Sequence, residues 1–189
     1  MALTRRWAAR RHKYAVLEWA GQTQFRPAPA WQLPGELGRF AGPVMSPMDH
    51  LTDGTVTFAR LFPPAQEAKP VVPIHVLSRR IESPWPATGL RPVAARDGQS
   101  LVDQFGLIAY PAYTESDRFV VHGSDLTAAR MLGRSSVKAL LPKDVGLVLT
   151  GNDLLLDFSS RPFDSIEFNR MLALAEQLVA HLPASSEQV

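Results

Sequence analysis

The clearest periodicity lies near the C-terminus. Phe168, Met171, Leu172, Ala175, Leu178, Val179 and Leu182 recur at helical spacing over four turns, which predicts an amphipathic helix with one apolar stripe. Asp164 and Glu167 have the spacing of a capping box ahead of it, and Pro183 ends it. Upstream the period changes to two. Thr55 to Phe62 alternates so that Val56 and Phe58 share a face, which predicts a half-buried strand. Val71 to Leu77 repeats the pattern with Val72, Ile74 and Val76 on one face. The two runs form an antiparallel hairpin, and Pro73 places the second at a sheet edge. Tyr14 to Trp19 is rich in β-formers and closed by Gly21, so it reads as a strand. Leu90 to Ala94 and Phe105 to Tyr110 add two weaker strand patterns.

Beyond Arg118 the punctuation sharpens. Phe119 to His122 is a short strand ended by Gly123. Ser124 or Asp125 caps a helix running through Leu132, with Gly133 as its C′ residue. Ser135 or Ser136 caps a further short helix stopped by Pro142. Val145 to Thr150 and Asp153 to Phe158 read as strands joined in a hairpin at Gly151-Asn152. Twelve of the 16 prolines fall at or before Pro92, so the first half is expected to be strands and irregular loops, and the second half to hold the helices. Thr4 caps a short basic helix from about Arg5 to Arg11. Gln22 to Asp53 reads as loop with one short strand, and Pro63 to Pro70 as a polar turn. These elements predict a single α+β domain over residues 1–183, with about seven mostly antiparallel strands and the long terminal helix packed on the sheet. Residues 184–189 form a polar tail expected to be disordered. A PH-like barrel is the runner-up topology, since seven strands followed by one long helix also fit it.

Composition narrows the class. The 189 residues are 46% hydrophobic and 20% charged, with a mean hydropathy of −0.06, values of a globular chain. No apolar run approaches the roughly 18 residues of a membrane span. The apolar stretch from Tyr14 to Ala20 is short and holds Glu18, too polar for a signal-peptide core, so a cytoplasmic protein is expected. The absence of cysteine removes disulfides, thiolate metal sites and a cysteine nucleophile. Net charge is +2, spread as +4 over residues 1–60, +2 over 61–100 and −4 over 101–189. That is too dilute for nucleic-acid binding. Arg5, Arg6, Arg10, Arg11 and Lys13 flank Trp7 and Tyr14 but lack a leucine-rich face. They read as solvated charge, and membrane association is not expected.

Candidate chemistry is sparse. The five histidines, His12, His50, His75, His122 and His181, show no i,i+2 or i,i+4 spacing, so neither a metal nor a cofactor is expected. Asp49-His50 follows Ser46 without a nucleophile elbow. His122-Gly123-Ser124-Asp125 leads from a strand end into a helix N-terminus, an anion-binding geometry, with Arg130 and Arg134 nearby. The competing and simpler reading makes Ser124 and Asp125 helix caps. Trp31, Phe40 and Trp85 lie in proline-rich loops, as anchors to the core or as a binding hot spot. The binding candidates are Trp31, Trp85, His122, Ser124 and Arg130, and no catalytic residue is assigned. The expected function is a non-enzymatic interaction module that binds a protein or other partner through loops of the N-terminal half. The alternative is a small hydrolase using His50, His75 or His122. A polar pocket joining two of these histidines to a carboxylate favours the enzyme, and an apolar groove near Trp31 or Trp85 favours the module. The oligomeric state is left open.

Arg118-Phe119-Val120-Val121 leads into Ser124-Asp125 and then Ala128-Ala129-Arg130-Met131-Leu132. Val148, Gly151, Leu154-Leu155 and a closing Leu182-Pro183 follow, and the Gly54-Thr55 and Ile74–Leu77 segments precede them. This series resembles the core of a bacterial family, common in actinobacteria, known as a domain of unknown function. The resemblance spans most of residues 50–183 and implies a fold. It carries over no catalytic residue. Members of that family often bear transmembrane helices ahead of the domain, and none is expected in this chain.

Overall fold

The computed structural model describes residues 14–29, 33, 35–40, 49–62, 72–96, 100–111 and 118–183. In chain order the elements are a helix over residues 14–22 (α1), β1 (Arg26–Pro27), a 3-10 helix (Gly35–Phe40), β2 (His50–Thr52), β3 (Val56–Leu61), β4 (Ile74–Pro92), α2 (Leu101–Gln104), β5 (Ile108–Ala109), β6 (Phe119–Gly123), α3 (Leu126–Arg134), α4 (Val137–Leu140), β7 (Gly146–Asp157) and α5 (Ser165–His181). The seven strands make one antiparallel sheet of mixed α+β character. It is not a closed barrel, which removes the PH-like alternative: the path runs β1-β2-β3-β4-β6-β5, with β7 added against β4.

β4, 19 residues long, is the axis of the sheet. On one edge β7 follows it for most of its length. On the other edge β3 takes the first half, from Leu61↔Ile74 to Val56↔Arg79, and β6 takes the second, from Thr88↔Gly123 to Pro92↔Phe119. The expected β3–β4 hairpin pairing is present, but β4 is central rather than an edge. Pro73 precedes the strand and Val72 is exposed, so no ladder hydrogen bond is lost to proline. Pro84 and Pro86 fall where the β4–β7 register shifts, between Arg80 and Trp85 and between Trp85 and Thr88. A bulge is where a strand tolerates residues without an N–H, so the expected loop around Trp85 is a bulged strand.

Both faces of the sheet are covered, so β3 is fully rather than half buried. Val56 and Phe58 face the larger core with Leu77, Leu154 and Leu156, beneath α1, α3 and α5. Ala59, Leu61, Ile74, Val76 and Leu155 face a smaller core closed by Leu33, Leu37, Leu101 and Val102. The alternation of β3, β4 and β7 thus sends successive residues into two cores.

Four local readings are corrected. Residues 14–19 are helical: Val16, Trp19 and Ala20 are buried at i, i+3 and i+4 spacing, and this burial outweighs the β-propensity of Tyr, Val and Trp. Trp19 packs on Phe25 and Phe168 with ring centroids 5.0 and 5.1 Å apart and donates Nε1 to Asn169 Oδ1 at 3.1 Å. The described part of residues 22–53 includes two short strands and a 3-10 helix where one strand in loop is expected. Gly133 lies inside α3 and is buried, because the helix runs on to Arg134 and ends at Ser135 as its C-cap. Gly151-Asn152 is no hairpin turn. β7 runs through it unbroken, with Gly151 at φ +53° opposite Trp85 in the bulge.

α5 forms as the pattern predicts. Asp164 caps it by accepting from the amides of Ile166 and Glu167, but Glu167 pairs with Arg161 and Arg170 instead of completing the expected capping box. Phe168, Met171, Leu174, Ala175 and Leu178 are buried, with Leu172, Val179 and Leu182 partly so. The Arg5–Arg11 helix, the 63–70 turn and the 184–189 tail lie outside the described residues. No helix among those described is long and apolar enough to cross a membrane.

Candidate functional site

The predicted site residues that are described do not converge on one surface. Trp31 lies outside the described residues. Trp85, 4% exposed, sits in the β4 bulge as part of the larger core. His122 is on β6, with Nδ1 3.3 Å from the Leu107 carbonyl. Ser124 donates to the Ala87 carbonyl through both its backbone N–H (2.8 Å) and its Oγ (3.1 Å). Asp125 caps α3, accepting from the Ala128 amide at 2.8 Å. Arg130 stands on the exposed face of α3. The N-terminus of α3 is thus filled by its own acidic cap, the simpler of the two sequence readings.

The histidines of the sheet are also separated. His75 faces the larger core, against the rings of Phe158 and Phe163 at 5.7 and 5.1 Å. Arg60 Nε donates to its Nε2 at 3.4 Å, and its Nδ1 is 2.9 Å from the Arg161 carbonyl. With Arg60 donating to Nε2, Nδ1 is the nitrogen that faces the carbonyl as donor. His50 pairs with Ala59 and so faces the smaller core. His122 alternates with Phe119 and Val121 and faces that side too, but on the other half of the sheet. Among the described residues no group of three or more His, Asp or Glu could hold a metal ion.

Two concavities were not foreseen. The first, about 250 Å³, lies where the ends of β4 and β7 meet α2, with a mainly apolar wall that holds two aspartates. Asp157 is its buried acid, accepting from the amides of Leu101 (2.7 Å) and Ser159 (3.1 Å) and from the hydroxyls of Ser159 and Ser100. Burial pushes its carboxyl above the ordinary range, and these donors pull the other way. Asp144 lines the same cavity. Arg161 grips it through Nε (2.9 Å) and Nη2 (2.7 Å), which holds its carboxyl below the ordinary range. One raised and one lowered carboxyl resemble an acid–base pair. Here, however, the four lone-pair positions of Asp157 are met by four donors of its own chain. The cavity is a structural hub tying α2 and the 159–161 turn to the sheet.

The second concavity, about 270 Å³, lies between the β4 bulge and the end of α5. Ile81, Trp85, Val179, Leu182 and Pro183 line it together with Arg79, Arg80, Glu82 and Ser83, so that polar and apolar surface are nearly equal in it. Asn152 Nδ2 donates to the carbonyls of Ile81 and Glu82, at 3.1 Å each, which satisfies the bulge where it leaves the ladder. Arg79 pairs with Glu176. Burial raises the carboxyl of Asp153, partly offset by the nearby Arg80. The sequence signal for this groove is the Ser-Pro-Trp-Pro run at residues 83–86, which marks an interruption but not its partner across 100 positions. No family model, no curated protein and no solved structure matches the chain.

Proposed function

We propose that the chain is a non-enzymatic interaction module that takes an apolar segment of a partner protein into the groove beside Trp85. The observation carrying this reading is the groove itself, where Ile81, Trp85 and Leu182 meet Arg79, Arg80 and Glu82 beside a bulged central strand. Its volume is below the roughly 300–1,000 Å³ of small-molecule sites and suits one or two inserted side chains. The rim of Arg79, Arg80 and Glu82 carries both signs, and hydrogen bonds there orient a peptide without selecting strongly for charge. The site differs from the N-terminal loops expected from sequence, because it joins β4 to the end of α5. No observation favours the hydrolase: His75 and His122 are turned to main-chain carbonyls, and His50 lies apart from both. Membership of the actinobacterial-type family is part of the same proposal, supported by β6, α3 and α5 forming where the resembling residues stand.

Peptide selection from a random library on the immobilised chain tests this. Enriched peptides with an apolar anchor, lost on Leu182→Arg but kept on Arg130→Ala, are the expected outcome. Binding indifferent to Leu182→Arg, or ester hydrolysis abolished by His50→Ala, would sink the reading.

A further inference from the structure

His50 is 2% exposed on β2, and its Nδ1 has no hydrogen-bond partner among the described residues. It lies opposite Ala59 and so faces the smaller core. A buried imidazole in that setting is tolerated neutral, and costs far more when charged. The element that carries it is weakly held. Three register pairs join β2 to β3, and two join β1 to β2. The Ala28 amide donates to the carbonyl of His50 itself, at 3.0 Å.

We propose that β2 is an acid-sensitive edge: protonation of His50 releases β1 and β2 from β3, while the β3–β4–β7 core stays closed. Asp49 is the described charged group that acts on the ring and favours the proton, but burial opposes it more strongly and lowers the affinity of the ring for a proton. Asp157 stands two strands beyond Ala59 in the same cross-strand row and is occupied by its own donors. Arg26, opposite Thr52 on β1, is exposed and adds repulsion. Thr52 and Thr57, in the next row, are uncharged. Asp49 and a hydrogen bond with the Ala28 main chain favour the charged ring, but burial outweighs both, so the proton is better accommodated once the edge opens to water. The inference does not depend on the groove.

The test is amide hydrogen exchange on the full chain at pH 7.5 and pH 5.0, each rate divided by its intrinsic value at that pH. With an unfolded histidine at 6.5, opening at pH 5.0 gains at most about thirtyfold. Protection of Ala28 should fall by about tenfold or more, while Leu155 to Asp157 in β7 keep theirs. His50→Leu and His50→Gln, which cannot titrate, should both remove the fall. If neither variant folds, the His50 ring titration followed by NMR decides, with a midpoint below 6.5 expected. Equal protection at both pH values, a fall that persists in the variants, or a His50 midpoint at or above 6.5 overturns the proposal.

Discussion

Asn152 on β7 donates to the carbonyl of Ile81 on β4 at 3.1 Å, and through the same nitrogen to Glu82 at 3.1 Å. One side-chain amide thereby stabilises the carbonyls freed by the bulge that forms the groove. Asn152→Ala should cost about 1–2 kcal/mol, the range for leaving such acceptors unmet. In a domain of this size that lowers Tm by roughly 3–7 °C. Asn152→Asp keeps the shape but has no donor, and should lose as much. An unchanged Tm in both would show that water satisfies the bulge.

Leu178 is fully buried on α5. Leu178→Asp removes a core leucine and strands a carboxylate, and should cost about 3–5 kcal/mol or more. Urea denaturation reads this as a large drop in midpoint. A midpoint within error of the parent contradicts the packing of that face.

Gly89 sits where β4 meets β7. A Cβ there would stand 2.9 Å from the Leu147 carbonyl oxygen and 3.1 Å from a methyl of Val102. Main chain on a central strand cannot yield easily, so Gly89→Ala should destabilise by about 1–3 kcal/mol. Gly38, whose added Cβ would meet nothing within 4 Å, provides the comparison: Gly38→Ala should lose much less in the same melt.

The carboxyl of Asp144 is held low by Arg161. A lowered carboxyl contributes stability that is present above its ordinary value of 3.8 and lost as pH falls through the folded value. Asp144→Asn should therefore destabilise at pH 7 and matter progressively less below pH 3.8. Solvent reaches the pair, so the loss at pH 7 stays within ~1 kcal/mol. Asp157 works in the opposite direction. Burial raises its carboxyl, so its cost is present above the folded value and is relieved as pH falls through it. Denaturant midpoints of parent and Asp144→Asn from pH 7 to pH 3 check this, and a difference independent of pH contradicts it.

The sequence by itself determined the elements whose signal is local. α5 follows from its apolar stripe and the Asp164 cap, α3 from Asp125, and β3 from its alternation, because each residue there reports the face it buries. From these it also determined the class, an antiparallel sheet with a terminal helix packed on it. Tertiary structure decided the rest. Residues 14–19 are helix because Trp19 meets Phe25, Phe58 and Phe168, contacts that outweigh a β-propensity worth about 1 kcal/mol across its whole scale. β4 and β7 run through Pro84, Pro86 and Gly151 because each supplies the other's ladder, which turns turn-forming residues into a bulge. The groove and the self-satisfied Asp157 cavity exist only where segments up to 100 positions apart come together. No pattern in either segment alone carries that information, since packing energy is gained only between elements once the chain has closed.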